Sequence, residues 1–353
     1  MDYKAELNAL IDIVVKEGGS DLHFSAGSHP TIRVNDVLVP LLKKVALKPQ
    51  DTLGLVTVLL SPEQKERFLA NQEIDFSYAY SEKIRFRGNA FFQKGGIAIA
   101  LRLVQDRIRT LEELGLPPIL ANFAKRQQGF FLVVGPVGQG KTTTLASLIE
   151  LINTERSEHI VTIEDPIEFL FTQKKSMIDQ REVKIDTKSF DGALLSAFRQ
   201  DVDVIMIGEM RGTETMSAAV TAAETGHLVL STLHTNNAAQ TIDRIIDSFP
   251  GDQQQQIRLQ LAGSLLGIFS QRLIPRISGG LIPAYELLIN NIAVSNLIRE
   301  KRTHEINTVI ETSSDDGMID MNRSLAELVR RGEITIENAF SRSLDPKVLE
   351  RLL

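Results

Sequence analysis

The sequence predicts an α/β protein of two domains, and three observations support this prediction. The chain has 353 residues, a length that suggests two or three domains of ordinary size. Its first hundred residues contain short strand patterns, whereas beyond residue 118 apolar strands alternate with helical patterns. Strands separated by helical crossovers require a parallel sheet covered by helices on both faces. The proline pair Pro117-Pro118 marks the boundary between the two patterns.

The first predicted domain, residues 1–104, is a mixed α/β domain. A helix is predicted over residues 4–17 because apolar residues recur at helical spacing before Gly18-Gly19. A second helix runs from its cap Ser61 and first residue Pro62 to about Leu69. Strands are predicted at 21–24, 31–34, 37–39, 75–80, 84–92 and 97–104, with turns at Asn35-Asp36 and Ser81-Glu82-Lys83.

Residues 105–118 form the predicted linker, and residues 119–353 form the second predicted domain. Its strands are predicted at 130–134, 159–163, 204–207 and 228–231. Its helices are predicted at 142–153, 190–198 and 214–224, with a longer helix at 252–273. From about residue 290 the tail is predicted to be helical, and its last helix is capped by Asp345 and begins at Pro346.

The composition excludes several classes of function. The chain carries 39 basic and 45 acidic residues, a net charge of −6, and few aromatic residues. This balance argues against a nucleic-acid partner. The sequence has no cysteine, which excludes disulfides and thiolate chemistry. With no apolar run near the ~18 residues of a membrane span and no signal peptide at its start, a cytoplasmic location is expected.

A glycine-rich motif provides the main evidence for function. Residues Gly135-Pro136-Val137-Gly138-Gln139-Gly140-Lys141-Thr142 follow an apolar strand and precede Thr143 and a helical pattern. This strand, loop and helix order is typical of a phosphate-binding loop. Its glycines let backbone N–H groups curl around phosphate oxygens at a helix N-terminus. Lys141 would reach the β- and γ-phosphates and the Thr142 hydroxyl would ligate Mg²⁺, so the chain is expected to bind a nucleoside triphosphate such as ATP.

Carboxylates follow two more of the predicted parallel strands. Glu209 ends the strand 204–207, where ligands bind in open α/β sheets, and is the candidate that orients and polarises the attacking water. Glu164 and Glu168 flank Pro166 after the strand 159–163. Two roles remain open for this pair: contact with metal-bound water, with Glu164 as a possible indirect Mg²⁺ ligand, or pairing with an arginine between domains.

Two histidines, His227 and His234, bracket a third strand. Because no cysteine or carboxylate ligand adjoins them, they give weak support for a metal site. Residues Thr232, His234, Thr235 and Asn236 are interpreted as sensors of the γ-phosphate or of a subunit interface. Hydrogen-bonded structural histidines are the alternative interpretation.

Taken together, these motifs resemble those of the type IV pilus retraction ATPases, the PilT-like branch of the secretion ATPase superfamily. The resemblance covers nearly the whole chain. It rests on the phosphate loop and on six further segments, namely 20–23, 75–77, 85–87, 162–169, 208–211 and 223–227.

The resemblance implies a hexameric ring of subunits, each with a PAS-like N-terminal domain and a RecA-like P-loop ATPase domain. It names the Glu164 segment the Asp box, the Glu209 strand Walker B, and His227 with His234 the His box. It also implies that Arg87 and Arg102 reach the nucleotide in the closed state. The implied cofactors are ATP and Mg²⁺. The implied partners are an inner-membrane platform protein and a paralogous retraction ATPase, with the ring at the inner face of the cytoplasmic membrane.

Departures from the family pattern keep several alternatives open. Gln139 and Thr142 stand where serine is usual, Gly212 where aspartate often follows Arg211, and Ser295 where the C-terminal retraction motif has an arginine. The chain fits either the main retraction motor or its accessory paralogue. A pilus or type II secretion assembly ATPase is disfavoured because those carry a longer N-terminus and a tetracysteine module. A non-hydrolysing nucleotide-binding regulator is disfavoured by Lys141 and Glu209, and a DNA translocase by the charge.

Overall fold

The structure, a computed structural model, describes residues 2–34, 37–81, 84–104 and 107–353. The chain forms two compact units, one made of Met1–Arg107 with Glu168–Leu170 and the other of Ile108–Ile167 with Phe171–Leu353. The predicted turn at Asn35-Asp36, residues Glu82 and Lys83 of the second turn, and residues 105–106 of the predicted linker lie outside the described residues.

Within its described residues, the first unit contains a six-stranded antiparallel sheet of order β3-β2-β1-β6-β5-β4. The strands are β1 (Asp21–Ser25), β2 (Thr31–Val34), β3 (Val37–Pro40), β4 (Glu73–Ala79), β5 (Arg85–Gln93) and β6 (Gly96–Leu103). The helices are α1 (Tyr3–Lys16), α2 (Pro49–Leu59) and α3 (Pro62–Asn71). Helix α2 has no counterpart among the predicted elements.

The core of the first unit lies between these helices and one face of the sheet. The apolar stripe of α1, which includes Leu7, Leu10 and Ile11, is fully buried. It belongs to the same cluster as Phe24 and Phe86 from the strands. Because burying each such side chain stabilises the fold by roughly 1.5–3 kcal/mol, this stripe fixes α1 against the sheet, as its helical spacing predicted.

The second unit is a parallel sheet with helices on its faces. Its strands are β7 (Gly129–Val134), β8 (His159–Glu164), β9 (Met177–Glu182), β10 (Val204–Ile207), β11 (Leu228–Leu233), β12 (Leu265–Pro275) and β13 (Leu281–Ile289). Its helices are α4 (Ala121–Ala124), α5 (Lys141–Glu155), α6 (Phe190–Ala197), α7 (Thr213–Glu224), α8 (Ala238–Asp247), α9 (Gln254–Ser264), α10 (Ile292–Arg299), α11 (Ile306–Thr312), α12 (Met321–Arg330), α13 (Ile336–Arg342) and α14 (Pro346–Leu352).

The strand order of this second sheet is β13-β12-β7-β11-β10-β8-β9 in the described part of the chain. Strands β12, β7, β11, β10, β8 and β9 run parallel to their neighbours, and β13 pairs antiparallel with β12. The carboxyl ends of β7, β11, β10 and β8 therefore meet at one edge of the sheet. Strand β7 is buried along its whole length, because helices cover both faces.

The predicted helix over 252–273 is wrong in its second half. Helix α9 ends at Ser264, and the chain continues directly into strand β12. Strand β12 is buried along most of its length, and its residues 265–269 and 273–274 are apolar or glycine on both faces. Such segments have no period-2 signal that would distinguish them from a buried helix.

The predicted helical tail is confirmed in helices α10 to α14. The Asp345 side chain accepts hydrogen bonds from the N–H groups of Lys347 and Val348, and Pro346 occupies the first turn of α14. Apolar residues of the tail, including Leu325 and Leu349, pack against Ile274 and Ile282 of β12 and β13. None of the helices in the described residues combines the length and the apolar character that crossing a bilayer requires.

Candidate active site

The glycine-rich loop connects the end of β7 to the start of α5. Gly135, Gly138 and Gly140 have φ angles of +148°, +75° and +77°, in the region that side chains with a Cβ rarely adopt. A Cβ atom on Gly135 would lie 2.5 Å from the carbonyl oxygen of Gln271. The loop therefore needs glycine at all three positions for its backbone conformation, and at Gly135 also for its close approach to β12.

The Lys141 side chain folds back over this loop. Its ammonium nitrogen donates to the carbonyl oxygens of Gly135 at 2.8 Å and Pro136 at 2.9 Å. It also lies 3.2 Å from Nδ1 of His234. Lys141 is only 7% exposed, so its charge is held at the loop, where it meets any phosphate that enters.

The start of α5 suits a phosphate and a divalent cation. The first N–H groups of a helix lack partners inside the helix, and Gly140, the N-cap of α5, has no side chain that could cap them. Thr142 stands one residue further on in α5 and offers a hydroxyl. In the described chain, no group of three or more histidine or acidic side chains is arranged to hold a metal. Mg²⁺ is commonly bound through one or two protein ligands and substrate phosphates, which fits Thr142.

Glu209 lies just beyond the end of β10, at the same edge of the sheet. Arg211 forms an ion pair with its Oε1 atom, and Oε2 lies 3.6 Å from Nε2 of His234. The hydrogen bond to Glu209 is the main cause that raises the pKa of Arg211, and the nearby Asp165 adds to it. The carboxylate of Glu209 is therefore held by Arg211 through one oxygen and faces His234 with the other.

His234 follows β11, the strand between β7 and β10, which explains why its ring reaches both Lys141 and Glu209. Side chains of β11 bond to β10 and the residue after it. The hydroxyls of Ser231 and Thr232 donate to the carbonyl oxygens of Ile207 at 2.8 Å and Gly208 at 2.6 Å. The three predicted site residues Lys141, His234 and Glu209 are thus brought together.

Glu164 is the last residue of β8 and is buried. Its Oε1 atom accepts hydrogen bonds from the Thr162 hydroxyl at 2.6 Å and from Nε2 of Gln180 at 3.3 Å. Gly208 lies against Glu164: a Cβ atom placed on Gly208 would be 3.5 Å from the Cα atom of Glu164. Glu164 therefore stands beside the Glu209 strand at the shared edge.

His227 lies at the other end of β11. The six residues of β11 separate it from His234, which at seven steps of 3.3 Å per residue is about 23 Å. Its Nδ1 atom lies 3.1 Å from the carbonyl oxygen of Ala222, and its ring is 5.7 Å from that of Phe198. Within this chain, His227 is not brought to Lys141 and Glu209.

The other predicted site residues belong to the first unit. Arg87 pairs with Glu168 at 3.1 Å, and Arg102 pairs with the buried Asp21 at 2.8 Å. Arg87 and Arg102 are direct partners on β5 and β6, and Asp21 is opposite Arg102 on β1. The three residues thus form one row across the sheet.

Two residues of the site had no predicted role. Arg211 was part of a recognised motif, and its position two residues after Glu209 is the only signal that could have identified it as a partner of that carboxylate. Gln271, buried on β12, contacts the phosphate loop through Nε2, which donates to the carbonyl oxygen of Gln139 at 2.8 Å. No local pattern indicates this contact, because 132 residues separate the two.

A phosphate loop between a central parallel strand and a helix, with a carboxylate after a nearby strand, defines a P-loop nucleotide-binding protein of RecA-like architecture. A profile of the family described as "Type II/IV secretion system protein" matches residues 3–338. The chain is 41% identical over 342 residues to the Type IV pilus retractation ATPase PilT of Pseudomonas aeruginosa, covering 97% of this chain and 99% of that protein. It is 40% identical to the Type IV pilus ATPase PilU of the same bacterium, covering 95% of this chain and 88% of that protein.

Among solved structures, the crystal structure of the pilus retraction motor PilT with bound ADP matches with a TM-score of 0.91 and 45% identity, over 98% of each chain. The chain belongs to the type II/IV secretion system protein family, within its PilT-like branch. The predicted fold class, a PAS-like α/β domain followed by a RecA-like P-loop domain, is confirmed.

Proposed function

We propose that this chain is an ATP-hydrolysing motor of type IV pilus retraction that works with Mg²⁺. The observation that supports it best is the line of Lys141, His234 and Glu209 along one edge of the sheet. Phosphate-binding and water-orienting groups lie side by side there, as hydrolysis of a terminal phosphate requires. The similarity to PilT, which is named a retraction ATPase, supports assigning the ATPase activity to pilus retraction.

In the proposed reaction, the backbone N–H groups of residues 137–143 and the ammonium of Lys141 bind the phosphate oxygens. Lys141 exchanges its contacts with the carbonyl oxygens of Gly135 and Pro136 for phosphate contacts. The Thr142 hydroxyl would hold Mg²⁺, with Glu164 as the candidate contact to its water. When bound, this ion neutralises charge that develops on the phosphates.

Glu209 orients the attacking water and accepts its proton as the base. Its Oε1 is engaged by Arg211, while Oε2 faces His234 beyond hydrogen-bond distance. Oε2 is therefore the oxygen we assign to the water. His234, in contact with Lys141 on its other side, is proposed to sense whether the γ-phosphate is present.

The assembly proposed from the family resemblance is a homo-hexamer at the cytoplasmic face of the inner membrane. It would act on a platform protein of the pilus machine, alongside a paralogous retraction ATPase and without nucleic acid. Residues 105–118 are proposed as the linker between domains 1–104 and 119–353. Phosphate contacts by Arg87 and Arg102, and the roles of Glu168 and His227, remain predictions.

The ATPase proposal is tested by phosphate release from Mg²⁺-ATP by the purified chain. We expect turnover in the unaltered chain and loss of both ADP binding and turnover in Lys141→Ala. Glu155→Gln is the control, because Glu155 ends α5 at its far, exposed end. Nucleotide binding without phosphate release would contradict the proposal and favour a non-hydrolysing regulator.

A second experiment separates the main retraction motor from its accessory paralogue, to which the chain is almost equally similar, at 41% and 40% identity. The chain is expressed in Pseudomonas aeruginosa that lacks PilT and, separately, PilU. Restored twitching in the first strain identifies a main motor, and restoration only in the second identifies an accessory one. Failure in both strains, with the chain soluble and active as an ATPase, would contradict the proposed role in retraction.

A further inference from the structure

Strand β12 is joined to the phosphate loop by side chains. Ser270 pairs with Val134, the last residue of β7, so Gln271 lies beside the point where the phosphate loop begins. The Gln271 side chain is 3% exposed. Its neighbours Ser270 and Arg272 are also polar and buried, and a buried polar side chain is unfavourable unless its polar atoms are hydrogen-bonded.

Both ends of the Gln271 amide are in fact bonded to the phosphate loop and its helix. Nε2 donates to the carbonyl oxygen of Gln139 at 2.8 Å, and Oε1 accepts from the Thr144 hydroxyl at 2.7 Å. The Gln139 carbonyl can only accept, which fixes Nε2 as the donor end and leaves Oε1 to accept from the Thr144 hydroxyl. The amide orientation is thus unambiguous.

Gln139 adds a third bond to this junction. Its Oε1 atom accepts from the backbone N–H of Leu273 at 2.8 Å. Gln139 is therefore fastened to β12 twice, once through its backbone carbonyl and once through its side chain.

We propose that Gln271, together with Gln139 and Thr144, forms a clamp that holds the phosphate loop in its nucleotide-binding conformation. Gln271 is a positioning residue, because it acts on the nucleotide through the loop. The inference rests on the proposed function, since it assumes that this loop binds nucleotide. A loop already held in its binding form does not lose conformational freedom on binding, so the clamp increases affinity.

If the clamp holds the loop, removing its bonds should change the affinity for ADP more than it changes kcat. Gln271→Met keeps the volume but removes two bonds, so the Kd for ADP should rise about tenfold. Because Lys141, His234 and Glu209 are untouched, kcat at saturating ATP should stay within about threefold of the unaltered chain, with the loss appearing in KM. Gln139→Ser and Thr144→Val each remove one bond and should raise the Kd about threefold to fivefold. Thr144→Ser keeps the hydroxyl and should retain normal affinity.

A matched control is available in the same unit. Asn322 is a second buried amide, 7% exposed, whose Nδ2 donates to the carbonyl oxygen of Asp345 at 3.1 Å and whose Oδ1 accepts from Ser343 at 2.7 Å. Asn322→Leu should lower the melting temperature as Gln271→Met does, because both lose two buried bonds. It should leave the Kd for ADP within about twofold, because Asn322 joins helices of the tail.

The measurement is ADP binding by titration calorimetry and steady-state phosphate release on the full chain. The double variant Gln271→Met with Thr144→Val should bind ADP no more weakly than Gln271→Met, since both remove the same bond. Unchanged affinity in Gln271→Met, Gln139→Ser and Thr144→Val would overturn the clamp, and so would a fall in kcat without a change in Kd. If Gln271→Met does not fold, the two single-bond variants decide the matter. Failure of the unaltered chain to bind ADP would overturn the proposed function instead, and the clamp with it.

Discussion

The Nδ1 atom of His234 lies 3.2 Å from the ammonium nitrogen of Lys141. Because an ammonium group has hydrogens to donate and no lone pair to accept with, Nδ1 must be the acceptor. Nε2 is then the ring nitrogen that can donate, and it is the atom that faces Glu209. One imidazole therefore contacts Lys141 through one nitrogen and faces the Glu209 carboxylate through the other.

The first prediction separates these two nitrogens. His234→Asn retains a polar group near the position of Nδ1 but has none at Nε2. We expect ADP affinity to stay within about threefold and kcat to fall by about 10- to 100-fold, because the group that faces Glu209 is lost. Phosphate release and ADP titration measure the two effects. An unchanged kcat in His234→Asn would show that the Nε2 side of the ring has no part in turnover.

The second prediction concerns Glu209. Glu209→Ala should leave ATP binding largely intact and nearly abolish turnover, with a loss of about 10²- to 10⁴-fold for removal of a group that accepts a proton. Glu209→Gln keeps the shape and should be equally inactive, since an amide does not accept the proton. Full turnover in either variant would remove Glu209 from its assigned role. Glu155→Gln, at the far end of α5, again serves as the unaffected control.

The sequence sufficed for those parts of the site that follow from local order. Lys141 and Thr142 are placed by the strand, loop and helix pattern, and Glu209 and His234 are placed because each directly follows a buried strand. Parallel strands bring their carboxyl ends to one edge, so these residues meet without further information.

Other parts of the site depend on contacts between distant residues. The bond from Thr144 to Gln271 spans 127 residues, and most of strand β12 itself was predicted as helix. Which carboxylate pairs with Arg102 depends on the register of β1 against β6. No local pattern carries these facts, since each is decided by which strand happens to lie alongside.

The third prediction concerns Asp21, which lies in one row with Arg102 and Arg87 across the sheet of the first unit. Burial tends to raise the pKa of Asp21, but hydrogen bonds from Ser20 and Arg102 outweigh it, and the net pKa lies below its usual value. The stability that Asp21 contributes is therefore present above its unfolded pKa and is lost as the pH falls through the folded one. Asp21→Asn should destabilise this unit near neutral pH by about 1.5–3 kcal/mol, the usual worth of a hydrogen bond to a charged group.

The readout for Asp21→Asn is hydrogen exchange in β1 and β6, compared at pH 7 and below pH 4. Exchange should be faster in the variant at pH 7, and the difference should shrink in acid. Asp75→Asn, which removes an exposed carboxylate on the edge strand β4, is the control. Equal hydrogen-exchange rates in β1 and β6 of the variant and the unaltered chain at pH 7 would show that Asp21 does not stabilise the pairing of these strands.

The fourth prediction concerns the buried Glu286 of β13, which is 5% exposed. Its Oε1 atom accepts a hydrogen bond from the N–H of Ala238, the first residue of α8, at 2.8 Å. Burial raises the pKa of Glu286 to about 7; the Ala238 bond and Arg272 oppose this rise, and Asp320 adds to it. Between the unfolded pKa, about 4.3, and the folded value near 7, the folded chain keeps a proton that the unfolded chain has released.

The stability that Glu286 contributes should therefore be fully present below its unfolded pKa and be lost as the pH rises through about 7. The slope is at most about 1.4 kcal/mol per pH unit. Glu286→Gln keeps an acceptor for the Ala238 N–H and cannot ionise, so its stability relative to the unaltered chain should increase from pH 5 to about pH 7 and stay higher at pH 8. Thermal unfolding from pH 5 to 8 measures this, with Glu155→Gln as the exposed control. Parallel pH profiles for the unaltered chain and Glu286→Gln would mean that Glu286 is already ionised in the folded protein at pH 5.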